Sequence, residues 1–165
     1  MRRLIALVLL FAQTAAAQTA AAQTAGQALG EAEVRAFLTR QEAHWNAGRL
    51  DAYFAGFTPD ATFTDQAYVG GKPPVPYGSS TRAEAQANAR RAFARKPWPK
   101  EAGQVFSLRP APDGGVLATT SVGSIVWADG RPRRLCASRE QALVREAGEL
   151  RARSRTDTFV RCRRG

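Results

Sequence analysis

The stretch His44–Asp65, HWNAGRLDAYFAGFTPDATFTD, decides how this 165-residue chain is read. It ends one amphipathic helix, makes a second short one and launches a strand. Upstream of it, Val34, Phe37, Leu38, Gln41, Trp45 and Gly48 recur at three- and four-residue steps, which predicts a helix over 31–48 with one inner face. Glu31 and Glu33 suit the positive end of its dipole, and Gly48 is available for a left-handed cap. Helical spacing resumes with Leu50, Tyr53, Phe54 and Phe57, and Pro59-Asp60 breaks it. Ala61–Asp65 then alternates as a strand, with Phe63 on one face and Thr62 and Thr64 on the other.

Downstream, Tyr68–Gly78 (YVGGKPPVPYG) reads as a loop because of its Gly and Pro content. Thr81-Arg82-Ala83-Glu84 has capping-box spacing and opens a helix through about Arg95, stopped by Pro97 and Pro99. Four strands follow, over 104–109, 116–127, 133–145 and 150–160. The turns between them are Pro112–Gly115, Asp129-Gly130 and Ala147-Gly148. In the last strand, strict alternation puts Leu150, Ala152, Ser154, Thr156, Thr158 and Val160 towards the helices. It puts Glu149, Arg151, Arg153, Arg155 and Asp157 towards water. Arg139 and Gln141 face inward in one hairpin register and outward in the next, and an inward arginine would imply an anionic ligand. The order is that of an α+β domain with helices on one face of a curved antiparallel sheet.

The N-terminus reads as an address. Met1-Arg2-Arg3 precedes an apolar run, Leu4–Ala12, of signal-peptide length. Small residues at Ala15–Ala17 and Ala20–Ala22 fit cleavage after 17, or as late as 22. Residues 18–29 continue a low-complexity Ala/Gln/Thr spacer, and 30–165 form a single domain. The expected location is therefore the periplasm or the medium, with no stable membrane span after processing.

The chain carries 24 basic and 14 acidic residues, a net charge of +10. Losing Arg2 and Arg3 leaves 22 against 14, or +8. Arginine outnumbers lysine 21 to 3 and is scattered along strands, which argues against nucleic acid and leaves attraction to an anionic surface open. Cys136 and Cys162, in an oxidising compartment, are expected to pair. A tight turn at Ala147-Gly148 sets residue 136 opposite 158 or 159, so a bulge or a folded-back tail must bring the sulfurs together. Two cysteines and one histidine at no ligand spacing argue against a structural zinc site. No cofactor is expected: a nucleophile elbow is absent, and Gly70-Gly71-Lys72-Pro73 lacks phosphate-loop spacing.

Trp45-Asn46-Ala47-Gly48, Leu50-Asp51-Ala52-Tyr53 and Phe57-Thr58-Pro59-Asp60-Ala61-Thr62-Phe63 resemble the nuclear transport factor 2-like superfamily, in particular its SnoaL-like branch. Arg49 stands where that branch often has an acid, with Asp51 two places on. The resemblance implies a cystatin-like cone, its curved sheet wrapped around the N-terminal helices and its pocket at the wide end. It implies a lining of Phe37, Gln41, Trp45, Tyr53, Phe57, Phe63 and Asp65, with Trp127 and Trp98 as secondary candidates. It marks a fold and not one activity, since the superfamily holds isomerases, cyclases, dehydratases, hydrolases and non-catalytic domains.

Two residues are candidates for chemistry. Asp65 shares a face with Phe63 and would point to the cavity mouth, where burial raises a carboxyl into proton-transfer range; its bland role is a strand-end acid capping the next loop. His44, the single histidine, is a residue type suited to a general base, but it lies at the edge of the apolar stripe and reads first as a helix-surface residue. The resulting expectation is an exported domain binding a small, mostly apolar molecule, with a homodimer through the sheet. The alternatives are a proton-transfer enzyme using Asp65 or His44 as base and a non-catalytic interaction module.

Overall fold

In the computed structural model, residues 29–112 and 114–162 are described. The expected signal segment and most of the spacer lie outside them. The chain forms α1 (Glu31–Asn46), α2 (Leu50–Ala55), β1 (Phe57–Ala67), β2 (Val75–Thr81), α3 (Arg82–Phe93), β3 (Lys100–Pro110), β4 (Val116–Ala128), β5 (Arg131–Glu146) and β6 (Glu149–Val160). The six strands make one sheet in the order β2-β1-β6-β5-β4-β3. All its pairings are antiparallel except β1 with β6, which run parallel. This is the α+β architecture expected, with one parallel pairing, β1 with β6, one strand in from the β2 edge.

The punctuation read from the sequence holds where local chemistry dictates it. Gly48 sits at φ 70° between α1 and α2, a conformation that disfavours a side chain. The Thr81 hydroxyl accepts from the Glu84 amide at 3.3 Å while the Glu84 carboxylate accepts from the Thr81 amide at 2.8 Å, closing the capping box. Asp129-Gly130 and Ala147-Gly148 both take positive φ, as two-residue hairpin turns between right-twisted strands require.

Four elements differ from expectation. Phe57–Asp60, read as the end of the short helix and its break, are the start of β1, because α2 stops at Ala55 and Gly56 turns the chain. Residues 75–78, read as loop, belong to β2; this is an edge strand, where Pro76 removes no ladder bond the sheet needs. Strand β3 starts at Lys100 rather than Gln104, which brings Glu101 and Gly103 onto the sheet. Strand β6 changes phase. Leu143 pairs with Ala152 but Ala142 pairs with Ser154, so Arg153 is an extra residue, a bulge. Leu150 and Ala152 face the helices as expected. Beyond the bulge the faces exchange, and Arg155 and Asp157 point inward instead of to water. A one-residue slip does this to every later side chain because strand period is two.

The core forms where α1 and α2 lie on the concave face. Val34, Phe37, Tyr53, Phe54, Phe57, Leu143 and Ala152 are all buried there. Phe54, Phe57 and Phe63 stack in tilted contacts with centroids 4.7–6.1 Å apart.

Cys136 and Cys162 are disulfide-bonded, with Cα atoms 5.2 Å apart. The β6 bulge moves Cys136 opposite Val160, and two further residues bring the tail to it. Closing a loop of separation 26 should stabilise the fold by about 2–4 kcal/mol. Cys136→Ser/Cys162→Ser should therefore lower the urea midpoint, with a slope equal to or steeper than the parent's because the unfolded chain expands. Titration of the unfolded, unreduced protein should find no free thiol.

Candidate functional site

The inside of the cone is built from charge as well as from hydrocarbon. Arg139 on β5 is 8 % exposed and Asp157, its cross-strand partner on β6, 2 %. Arg139 Nε and Nη2 donate to the two Asp157 oxygens at 2.7 and 3.0 Å. Nη1 and Nη2 donate to Glu101 on β3 at 2.7 and 3.1 Å. Arg155 donates through Nε and Nη2 to Asp157 at 3.1 and 2.5 Å, and through Nη1 to the Tyr53 hydroxyl at 2.8 Å. Two guanidinium groups and two carboxylates thus balance. The inward arginine that would imply an anionic ligand is answered by the protein's own acids.

Burial alone would push both carboxyls up. For Asp157 the charges of Arg155 and Arg139 outweigh it and hold the group far below the carboxylate range; Arg139 does the same, less strongly, for Glu101. Burial opposes the charge on Arg139, but Glu101 and Asp157 more than restore it. Beside this cluster Gln141 Nε2 donates to Gln41 Oε1 at 2.9 Å, tying β5 to α1. The space left in the middle of the cone is a void of about 60 Å³, lined by Gln41, Tyr53, Glu101, Arg139 and Gln141 among others.

The larger opening lies beside this filled centre, between β1, β2 and α3. It measures about 250 Å³ and is walled by Trp45, Phe54, Phe63 and the small residues Ala85, Ala89 and Ala92 of α3. Its polar groups are Thr64, Asp65, Ser80, Asn88 and Arg155. The Arg155 guanidinium lies 5.8 Å from the Phe63 ring centre and joins the ion cluster to the cavity wall.

Asp65 sits at the rim. It pairs with Asp157 across the parallel strands and with Gly78 across β2. Partial burial raises its carboxyl above the ordinary value, and the Asp157 charge adds to this. Arg155 and Arg139 offset only part, since both are already neutralised. Asp65 has no hydrogen-bond partner among the described residues. It is the acid left over when the buried charges have paired.

The residues picked from sequence divide among different places. Trp45, Phe63 and Asp65 meet in one cavity. Tyr53 and Gln41 line the central void instead. Phe57 is fully buried core and lines no cavity described here. Trp127 pairs with Pro132 near the β4–β5 turn, and Trp98 stacks on Phe93, both away from Asp65. Phe37 and His44 border a separate groove between α1, α2 and the β5–β6 turn. There His44 Nδ1 accepts from Arg49 Nε at 3.1 Å. One turn of α1 places Trp45 on one side and His44 on the other, so the two candidate bases do not share a site. Glu101, Arg155 and Asp157 escaped the sequence reading: the first lay outside the expected β3, and the other two were turned outward by strict alternation.

Asp157→Asn removes one of two charges that hold two buried arginines, and should cost about 3–5 kcal/mol in urea unfolding. The pH dependence has a definite sign. Asp157 and Glu101 titrate lower folded than unfolded, so their stabilisation is full above the unfolded values near pH 4. It is lost as pH falls towards the folded ones. Asp65 is held higher folded than unfolded, so stability falls as pH rises from the unfolded value near 4 through the folded one. Asp65→Asn should raise the melting temperature at neutral pH and leave it unchanged near pH 3, where both forms are neutral.

No protein-family model matches the chain, and no curated protein matches its sequence. Solved structures do. ActVI-ORFA from Streptomyces coelicolor is 27 % identical with a TM-score of 0.57, over 78 % of this chain and 95 % of that one. The beta subunit of the benzoate 1,2-dioxygenase from Burkholderia mallei is 13 % identical with a TM-score of 0.61, over 81 % and 93 %. A domain with a cystatin-like fold from Nostoc punctiforme is 17 % identical with a TM-score of 0.57, over 80 % and 78 %. With Trp45–Gly48 and Phe57–Phe63 at its helix–helix–strand junction and its sheet curved around α1, the chain has the nuclear transport factor 2-like fold of these solved structures.

Proposed function

We propose that the protein is an exported binding domain that takes a small, mostly apolar molecule into the cavity between β1, β2 and α3. The observation that carries this reading is the cavity itself: three aromatic walls, an alanine-lined helix and a single unpaired carboxyl at the rim. Its volume and apolar walls suit a compact hydrophobic body, and Asp65, Ser80 and Asn88 would orient one polar end. Export rests on the apolar run at 4–12 and accords with the Cys136–Cys162 bond. Among the described residues no helix is long and apolar enough to cross a membrane.

A second reading is a proton-transfer enzyme, and the raised carboxyl of Asp65 favours it. Asp65 would take a proton from a carbon next to a carbonyl, with Arg155 beside it to stabilise developing negative charge. His44 serves this reading poorly, because it faces the other groove. A third reading, an interaction module with a filled cone, draws support from the central ion cluster but leaves the Asp65 cavity unused.

Native mass spectrometry of the exported protein, without added ligand, tests the proposal. A stoichiometric small-molecule adduct is expected, and Ala85→Phe, which fills the cavity from α3, should abolish it. An adduct that survives Ala85→Phe would put the ligand elsewhere. For the enzyme reading, Asp65→Asn should keep the adduct while slowing turnover of the identified ligand about 10²-fold or more. A dimer through the sheet, the assembly the resemblance implies, would be read in the same spectra.

A further inference from the structure

Exposed apolar side chains are gathered at one end of the sheet. Tyr68, Val69, Val75 and Tyr77 stand on the β1–β2 hairpin, with 51–64 % of each exposed. The register carries this end across the sheet. The Tyr68 amide donates to the Phe159 carbonyl, Val160 pairs with Cys136, and Cys136 pairs with Gly123. Leu135 and Ile125 are exposed on the β4–β5 hairpin beyond, and Val160 ends β6. Among the described residues the one exposed large hydrophobic not at this end is Phe106.

The strand arginines differ along the same axis. Away from this end Arg109 pairs with Glu140, Arg145 with Glu33, and Arg151 with Glu146 and Glu149. At this end Lys72, Arg131, Arg134 and Arg161 form no ion pair with a described residue. Arg133 reaches Asp129 only at 3.8 Å, with both side chains exposed. The disulfide holds Arg161 here by anchoring the tail to β5. Cations without counter-ions, interleaved with tyrosine, valine and leucine, are complementary to a surface that is anionic outside and apolar beneath.

We propose that this end of the sheet docks on an anionic lipid bilayer. The β1–β2 hairpin tip and the β4–β5 hairpin dip their apolar side chains among the headgroups, and the lysine and arginines meet the phosphates. The apolar residues are spread over the β1–β2 loop and the adjoining ends of β2, β4, β5 and β6 rather than gathered in one pocket, which suits a fluid surface better than a folded protein face. The Asp65 cavity opens at the root of the same hairpin, where Gly78 pairs with Asp65. A lipophilic ligand would thus pass between bilayer and cavity with little exposure to water. Docking itself does not depend on what the cavity holds.

Sedimentation of the exported chain with vesicles tests this, using pure phosphatidylcholine and equal parts phosphatidylcholine and phosphatidylglycerol, with no ligand present. Binding is expected only to the anionic vesicles. Tyr68→Ser/Tyr77→Ser and Arg131→Ser/Arg134→Ser should each lower the partition coefficient about tenfold or more. Phe106→Ser should bind as the parent does. Lys72→Ser/Val69→Ser, at the exposed hairpin tip, gives a second test should a tyrosine variant fold poorly. The proposal is overturned by absence of binding to the anionic vesicles or by equal binding to both kinds. It is equally overturned if the arginine variants weaken binding while the tyrosine and tip variants do not, since that is simple adsorption of a basic protein.

Discussion

The Arg139–Asp157 pair is the constraint around which the cone is arranged. Two charged groups this far from water are tolerable only if every lone pair and proton is used. Asp157 accepts from Arg139 and Arg155, and Arg139 spends its remaining donors on Glu101. The pair therefore ties β5, β6 and β3 together, and Arg155 extends it to Tyr53 on α2. Its geometry requires the bulge at Arg153. Without that extra residue, Arg155 and Asp157 would point outward and Arg139 would be buried with half its partners missing.

Filling the centre with ions decides where a ligand can go. In place of one deep chamber the cone holds a void of about 60 Å³, and the usable space moves to the flank under α3. That helix supplies the room, because Ala85, Ala89 and Ala92 present methyl groups where larger side chains would close the gap. The same balance of charges explains Asp65. Its neighbours Arg139 and Arg155 are committed to Asp157 and Glu101, so its carboxyl meets burial and a like charge with little compensation.

Much of the fold was legible because short-range chemistry carries it. The apolar stripe of α1, the Gly48 cap, the Thr81–Glu84 box and the two hairpin turns each depend on a handful of neighbouring residues. The disulfide was legible for a similar reason: two cysteines near the ends of adjacent strands have few other uses in an oxidising compartment. The misreadings share another cause. Residues 75–78 look like loop because glycine and proline dominate them, and only their place at the sheet edge lets them pair. Gln41 was seen to face inward, but not that Gln141 would occupy it.

The candidate site was half visible. Strand alternation puts Phe63 and Asp65 on one face, and helix period puts Trp45 beside them. From sequence alone, then, came an α+β domain with an aromatic inner face, an acid at the end of its first strand and a basic surface. Tertiary structure decided what those residues meet. A single extra residue in β6 reversed the facing of every side chain after it, turning a solvated charged strand into the ionic centre of the cone. No local pattern announces such a bulge, because its stabilisation comes from partners on other elements, from Arg139 on β5, 18 residues from Asp157, to Tyr53 on α2, 102 residues from Arg155.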